Sequence, residues 1–369
     1  MSLVVDEHRQ YLDDPVRLDA FDAAVRHVVK PGDVVVDLGA GTGILGLMAC
    51  RAGAGRVYAI DDGGMIELAR AAARHNGFAD RIVHIRQYSG EVTLPEPADV
   101  ILGDQIGHFG FEAGVLEFFD DARRRMLRPG GTLIPGRLEL FVTAVESPAL
   151  HRCVEFWREP RAGFSFGPLR EWAVNTGYPV DLSLAHLLSP AVRGAVIDLS
   201  QPLQPLFTVE GSVTASADGT VHGIGGWFSA ELAPGVRMTN DPSSPDRILR
   251  RNVWFPLGEP LAVRAGDPIH FLLRIRPRDM VVAWEARAGS RVRRHSTIGG
   301  MLIAQEDLRA LRPDARPSLT RGGLVRRSVL ELCDGNRTIA DIERELYARH
   351  PSLFESQDHA SAFAAEVLG

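Results

Sequence analysis

The run VVVDLGAGTGILGL at residues 34–47, with a second strand-like run at 56–60 that stops on Asp61 and Asp62, constrains this chain more than any other feature. Val34, Val35 and Val36 are β-branched and apolar, as a parallel strand covered on both faces requires. Gly39, Gly41 and Gly43 then permit a tight turn whose bare backbone can approach a ligand, and a helix from Ile44 would point unpaired N–H groups at that space. Strand, glycine turn, helix, strand and acid in this order predict a doubly wound α/β sheet with a nucleotide-type cofactor at its carboxyl edge.

Two registers of the glycines predict different cofactors. Gly41, Gly43 and Gly46 satisfy GxGxxG, in which the glycines admit a dinucleotide pyrophosphate and a later acid holds the ribose. Gly39, Gly41 and Gly43 instead give DxGxGxG headed by Asp37. A carboxylate at Asp37 would repel a pyrophosphate but suits the cationic amino group of S-adenosylmethionine, with Asp61 accepting from the ribose hydroxyls and Asp62 beside it. The methyl-donor register is favoured over the dinucleotide register, and both over a structural turn with no ligand.

With 369 residues and 45% hydrophobic content the chain has ample core for two or three domains. Its formal charge of −6 argues against nucleic acid as a partner, which normally shows as a basic excess, and is compatible with basic substrates. No signal-peptide pattern opens the chain and no apolar run reaches about eighteen residues, so a soluble, cytoplasmic protein with no membrane partner is expected. Cys50, Cys153 and Cys333 are far apart and odd in number, which predicts reduced, buried thiols and no metal site.

Strands and helices alternate to about residue 135: helix 64–76, strands 82–85 and 99–102, helix 115–127, a turn at 128–131 and a strand at 132–135. From Arg137 the hydrophobic period becomes two, with glycine and proline between the runs, as in an antiparallel sheet or barrel. A more helical insertion at 156–188 interrupts it, and its Phe156, Trp157, Phe164, Phe166, Leu169 and Trp172 are too many apolar residues for a solvated loop. A polar linker follows Gly299-Gly300 and runs to about Arg321. Residues 324–346 then read as two short helices split at Asp334-Gly335, with Leu324, Val325, Val329, Leu332, Ile339, Ile342 and Leu346 at helical spacing and Thr338 as a cap.

Over roughly residues 7–287 the chain resembles the protein arginine methyltransferases. HRQYLDDPVR resembles their cofactor-covering helix, VVDLGAGTGIL their first motif, ILGDQIGHFGFE their substrate loop, RPGGTLIPGRLELFVTAVESP their passage from sheet to barrel, and NVWFPLGEPLAVRAGD their later barrel strands. The resemblance implies a Rossmann-like S-adenosylmethionine domain (1–135), a β-barrel substrate domain (136–304) with a dimerisation arm at about 156–188, and hence a homodimer. It also implies that Arg17 clamps the cofactor carboxylate, a bidentate role suited to guanidinium. Residues 325–351 are similar to the helical half of a winged-helix domain that binds leader peptides of ribosomally made natural products, which makes 305–369 a small helical C-terminal domain.

The departures bear on the acceptor. The family grips its guanidinium substrate with two glutamates on one loop. Here the first position is Asp104 and the second is Ala113, with Glu112 one residue early. The family's Thr-His-Trp element is replaced by Ile248-Leu249-Arg250, and its adenine-binding glutamate falls at Gly90. Asp104, His108 and Glu112 form the candidate catalytic set: Asp104 to position a cationic acceptor, His108 to take its proton or to hydrogen-bond a hydroxyl or carboxylate acceptor, Glu112 to assist. The expectation is a methyltransferase acting on nitrogen or oxygen of a peptide natural-product precursor. A small-metabolite enzyme and a catalytically silent binding partner are the alternatives.

Overall fold

The computed structural model describes residues 4–368, so the outer ends of the expected first and last domains, residues 1–3 and 369, lie outside the described residues. It divides into two units, Met1–Met301 and Leu302–Gly369.

The larger unit begins with α1 (Val4–Leu12) and α2 (Pro15–Val28). Asp14 separates them: its side chain caps α2 by accepting from Arg17 N at 3.1 Å, and Pro15 occupies the first helical turn, where a missing N–H costs nothing. Then follow β1 (Val34–Leu38), α3 (Ile44–Ala52), β2 (Arg56–Asp61), α4 (Met65–His75), β3 (Ile82–Arg86), β4 (Ala98–Leu102), α5 (Val115–Arg125) and β5 (Leu127–Ile134). The five strands form a parallel sheet ordered β3-β2-β1-β4-β5, as the alternating sequence predicts. Strand order reverses between β1 and β4, so the crevice for a ligand opens at their carboxyl ends. The turn expected at 128–131 lies within β5 instead.

The antiparallel part comprises β6 (Arg137–Val145), α6 (Pro148–Glu155), α7 (Arg170–Val174), β7 (Tyr178–Val180), β8 (Val192–Asp198), β9 (Phe207–Thr214), β10 (Gly219–Ala233), β11 (Val236–Thr239), β12 (Asn252–Val263), β13 (Pro268–Arg276), β14 (Val281–Ala288) and β15 (Arg291–Ser296). These strands make two sheets, β7-β12-β10-β6-β8 with β11 beside β10, and β15-β14-β13-β9. The expected barrel is therefore not closed. Side chains rather than a backbone ladder bridge the sheets at β12: Trp284 Nε1 donates to Pro256 O and Arg293 Nε to Glu259 O, both at 2.8 Å, and His295 Nε2 accepts from Gly258 N at 3.1 Å. Pro256 presents its carbonyl to that boundary but has no N–H to pair there.

The insertion at 156–188 is less helical than expected, since it supplies α7 and also β7, which pairs with β12. Phe156, Phe164, Phe166, Leu169 and Trp172 lie 36–70% exposed on it. Of the cysteines expected to be buried, Cys50 is, whereas Cys153 and Cys333 are exposed.

The smaller unit holds α8 (Gln305–Ala310), α9 (Arg321–Leu332), α10 (Ile339–Arg349) and α11 (Gln357–Leu368). Val325, Val329, Leu332, Ile342, Leu346, Phe354, Ala360 and Ala364 form its own core. Thr338 and Asp341 form the capping box that starts α10. Two corrections apply: α8 lies inside the expected linker, and a third core helix, α11, completes the pair. Leu324 and Ile339, expected in the core, are exposed. Among the described residues of this unit there is no strand, and among all described residues no helix is long and apolar enough to cross a membrane.

Candidate active site

Gly39, Gly41 and Gly43 have φ of +66°, +53° and +77°, the left-handed region that a side chain strains, so the turn after β1 depends on glycine. Two acids hold it. Asp37 Oδ2 accepts from Gly46 N in α3 at 2.7 Å; Asp61 accepts from Gly41 N and Gly63 N, both at 2.8 Å. Some of the N–H groups expected to face a ligand are thus already paired.

Asp37 is fully buried, and its Oδ1 has no partner. Burial pushes its carboxyl up to about 7; the Gly46 N–H and the Arg17 charge pull down, and Asp61 pushes up. A buried carboxylate oxygen without a donor fits an ammonium group, and Asp61, whose oxygens each keep a free lone pair, fits a ribose diol. A cleft of about 200 Å³ adjoins Asp61, lined also by Gly39, Asp62, Tyr88, Gln105 and Phe118 among others. Its walls include Gln87, Tyr88 and Ser89 directly after β3, which sequence reasoning missed; their position at a carboxyl strand end was the available signal.

Arg17 lies buried in the first turn of α2. Its Nε donates to Asp104 Oδ2 at 2.5 Å and its Nη1 to Tyr11 O at 3.1 Å, while Nη2 takes part in neither bond. Asp104, two residues past β4, was expected as an open carboxylate. Both its oxygens are engaged, because Arg250 Nη1 donates to Oδ1 at 3.1 Å and Nη2 to Oδ2 at 2.9 Å. Burial alone would raise the Asp104 carboxyl, but the Arg250 and Arg17 guanidinium groups hold it below the usual carboxylate range. Arg250 is raised: burial is the largest single effect and acts to lower it, but the charge and hydrogen bonds of Asp104, with Tyr11 and Asp14, together outweigh it.

The loop after Asp104 carries the other two candidates. Glu112 folds back on this loop, accepting from Phe109 N at 2.8 and 3.0 Å and from Phe111 N at 3.1 Å. Phe109 packs over Gly226 of β10, where an added Cβ would meet its ring at 2.7 Å. His108 Nδ1 lies 3.2 Å from Arg251 O, and burial lowers its pKa against the raising charge of Glu112. A neutral ring that donates from Nδ1 to this carbonyl keeps an unprotonated Nε2, the form a base requires. Asn240, fully buried, donates from Nδ2 to His108 O and Arg251 O at 2.8 Å each and accepts from Phe228 N at 3.0 Å; Asn252 Nδ2 donates to its carbonyl at 2.6 Å. Leu249 N donates to Asp14 Oδ2 at 2.7 Å. Asp14, Asn240 and Arg250 were not in the candidate set. Arg250 was visible only as a departure in the segment before β12.

Comparison with known proteins follows the same division. Residues 18–136 match the ribosomal protein L11 methyltransferase family, and residues 137–286 match the arginine methyltransferase oligomerization subdomain. The chain is 30% identical over 258 residues to protein arginine N-methyltransferase 6 of Xenopus tropicalis, covering 65% of this chain and 74% of that one. It is 28% identical over 269 residues to the arginine N(omega)-methyltransferase of Streptomyces achromogenes subsp. streptozoticus, covering 71% and 74%. Among solved structures, the Trypanosoma brucei PRMT1 enzyme–prozyme heterotetrameric complex with AdoHcy superposes with a TM-score of 0.71 at 22% identity, over 78% of this chain and 97% of that one.

Proposed function

We propose, from the premise that this chain belongs to the protein arginine N-methyltransferase family and is an S-adenosylmethionine-dependent methyltransferase, that it methylates a nitrogen or oxygen of a peptide natural-product precursor rather than an ordinary protein arginine. One observation carries the acceptor reading: neither carboxylate of the candidate loop is open, since Asp104 is paired with two guanidinium groups and Glu112 with its own backbone. The peptide reading is supported by the helical unit at Leu302–Gly369, which has a core of its own and keeps Leu324, Leu330 and Ile339 exposed.

When bound, S-adenosylmethionine supplies an electrophilic methyl group on a sulfonium. Asp37 Oδ1 would take its ammonium, Arg17 Nη2 its carboxylate and Asp61 its ribose hydroxyls, with Asp62 at the rim and Gly39, Gly41 and Gly43 giving the close backbone approach. His108 Nε2 accepts the acceptor's proton as its nucleophile is methylated, and Asp104 positions Arg17 rather than the acceptor. The exposed apolar residues of the 156–188 segment support a homodimer.

Steady-state methylation of one precursor peptide with and without its leader, by the whole chain and by a chain ending at Met301, tests the peptide reading. The shortened chain should show a KM raised at least tenfold for the leader-bearing peptide and an unchanged KM for the leaderless one. An unchanged KM for the leader-bearing peptide in a folded shortened chain would refute it.

A further inference from the structure

The groups around Arg250 form a complete guanidinium site. Asp104 receives both of its terminal nitrogens, one on each carboxylate oxygen; Ile106 O accepts from Nη1 at 2.7 Å; and the rings of Tyr11 and Phe228 each lie 5.9 Å from the guanidinium carbon. Bidentate carboxylate, backbone carbonyl and aromatic faces are the chemistry that recognises an arginine side chain from outside. Here the chain supplies that side chain itself. Its segment is pinned on both sides of Arg250, by Leu249 N on Asp14 and by Asn240 on Arg251 O.

We infer that Arg250 fills the guanidinium site beside the methyl-donor crevice and thereby excludes arginine as acceptor. The inference rests on reading the Asp104 end of the sheet as the acceptor side. An incoming guanidinium would find no open oxygen on Asp104, an alanine at 113, and Glu112 turned into its own loop. It would also face two like charges, Arg17 and Arg250, balanced by the single carboxylate between them. This is exclusion by an occupied site and by charge, and it leaves neutral acceptors unopposed.

Isothermal titration decides it. S-Adenosylhomocysteine is titrated first, so that failure of the methyl-donor reading shows separately. Methylguanidinium is then titrated into the cofactor-saturated protein. The wild type should show no saturable binding, Arg250→Ala should bind in the low millimolar range, and Arg250→Ala combined with Asp104→Asn should lose that binding. Saturable binding to the wild type, or none to a folded Arg250→Ala protein, overturns the inference. If Arg250→Ala does not fold, methylguanidinium should restore its cooperative unfolding transition, and failure to restore it also overturns the inference. In a second assay, methyl transfer to an arginine-rich peptide should be absent in the wild type and appear in Arg250→Ala; arginine methylation by the wild type refutes exclusion.

Discussion

Titrating S-adenosylhomocysteine into the protein across about pH 5 to 7.5 should expose the proton held by Asp37. With its carboxyl pushed up to about 7, Asp37 is charged in about 1% of molecules at about pH 5 and in about three-quarters at about pH 7.5. An ammonium at the unpartnered Oδ1 requires the charged form, so affinity should rise about tenfold per pH unit and level off above about 7. The total gain is somewhat under a hundredfold, or about 2.5 kcal/mol. Calorimetry in buffers of different ionisation enthalpy should register about one proton released per ligand near pH 5.5 and few near pH 7.5. Asp61→Ala should weaken binding by about tenfold on the plateau and keep the slope, with the levelling-off moved to lower pH because the Asp61 charge helps to raise Asp37. Asp37→Asn should bind weakly with no slope. The free protein runs the opposite way. Folded Asp37 keeps its proton to about 7, whereas an unfolded carboxyl releases it near 3.8, so the free fold loses stability as pH rises through that window. A flat wild-type affinity, or a slope that survives in Asp37→Asn, would refute the assignment.

Glu112→Ala removes the acceptor for the N–H groups of Phe109 and Phe111, so it should lower stability by about 1–3 kcal/mol in thermal melts, and Glu112→Gln should recover part of the loss. A loss of turnover with unchanged melting would instead give Glu112 a role on the acceptor. Sedimentation at micromolar concentration should show a dimer, and Phe164→Glu with Trp172→Glu should convert it to monomer; a wild-type monomer would show that the exposed apolar segment serves something else.

The parallel sheet and its glycine turn were legible because their signals are local. Val34–Leu38, the glycines and Asp61 lie within thirty residues, and each constrains φ/ψ or burial by its own chemistry. Barrel closure was not legible, since period-two hydrophobicity looks alike in two open sheets and in a barrel. Trp284, Arg293 and His295, whose side chains span the gap, carry no mark of that role in the sequence. Helix α11 was missed because its buried positions are Ala360 and Ala364, too small to write an apolar stripe. In the site, Asp104 was found from its place after a strand, but its partner Arg250 is 146 residues away, and only the fold joins them.

Asn240 has a mechanical consequence. Its side chain satisfies the backbone of the loop after β4 at His108, of β10 at Phe228 and of the approach to β12 at Arg251, while Asn252 holds its own carbonyl. A hinge between the parallel and antiparallel sheets at this point would strip the Asn240 amide from the His108 carbonyl, while its bonds to Phe228, Arg251 and Asn252 stay within the antiparallel part, so His108 is the member of this group that such a motion would release.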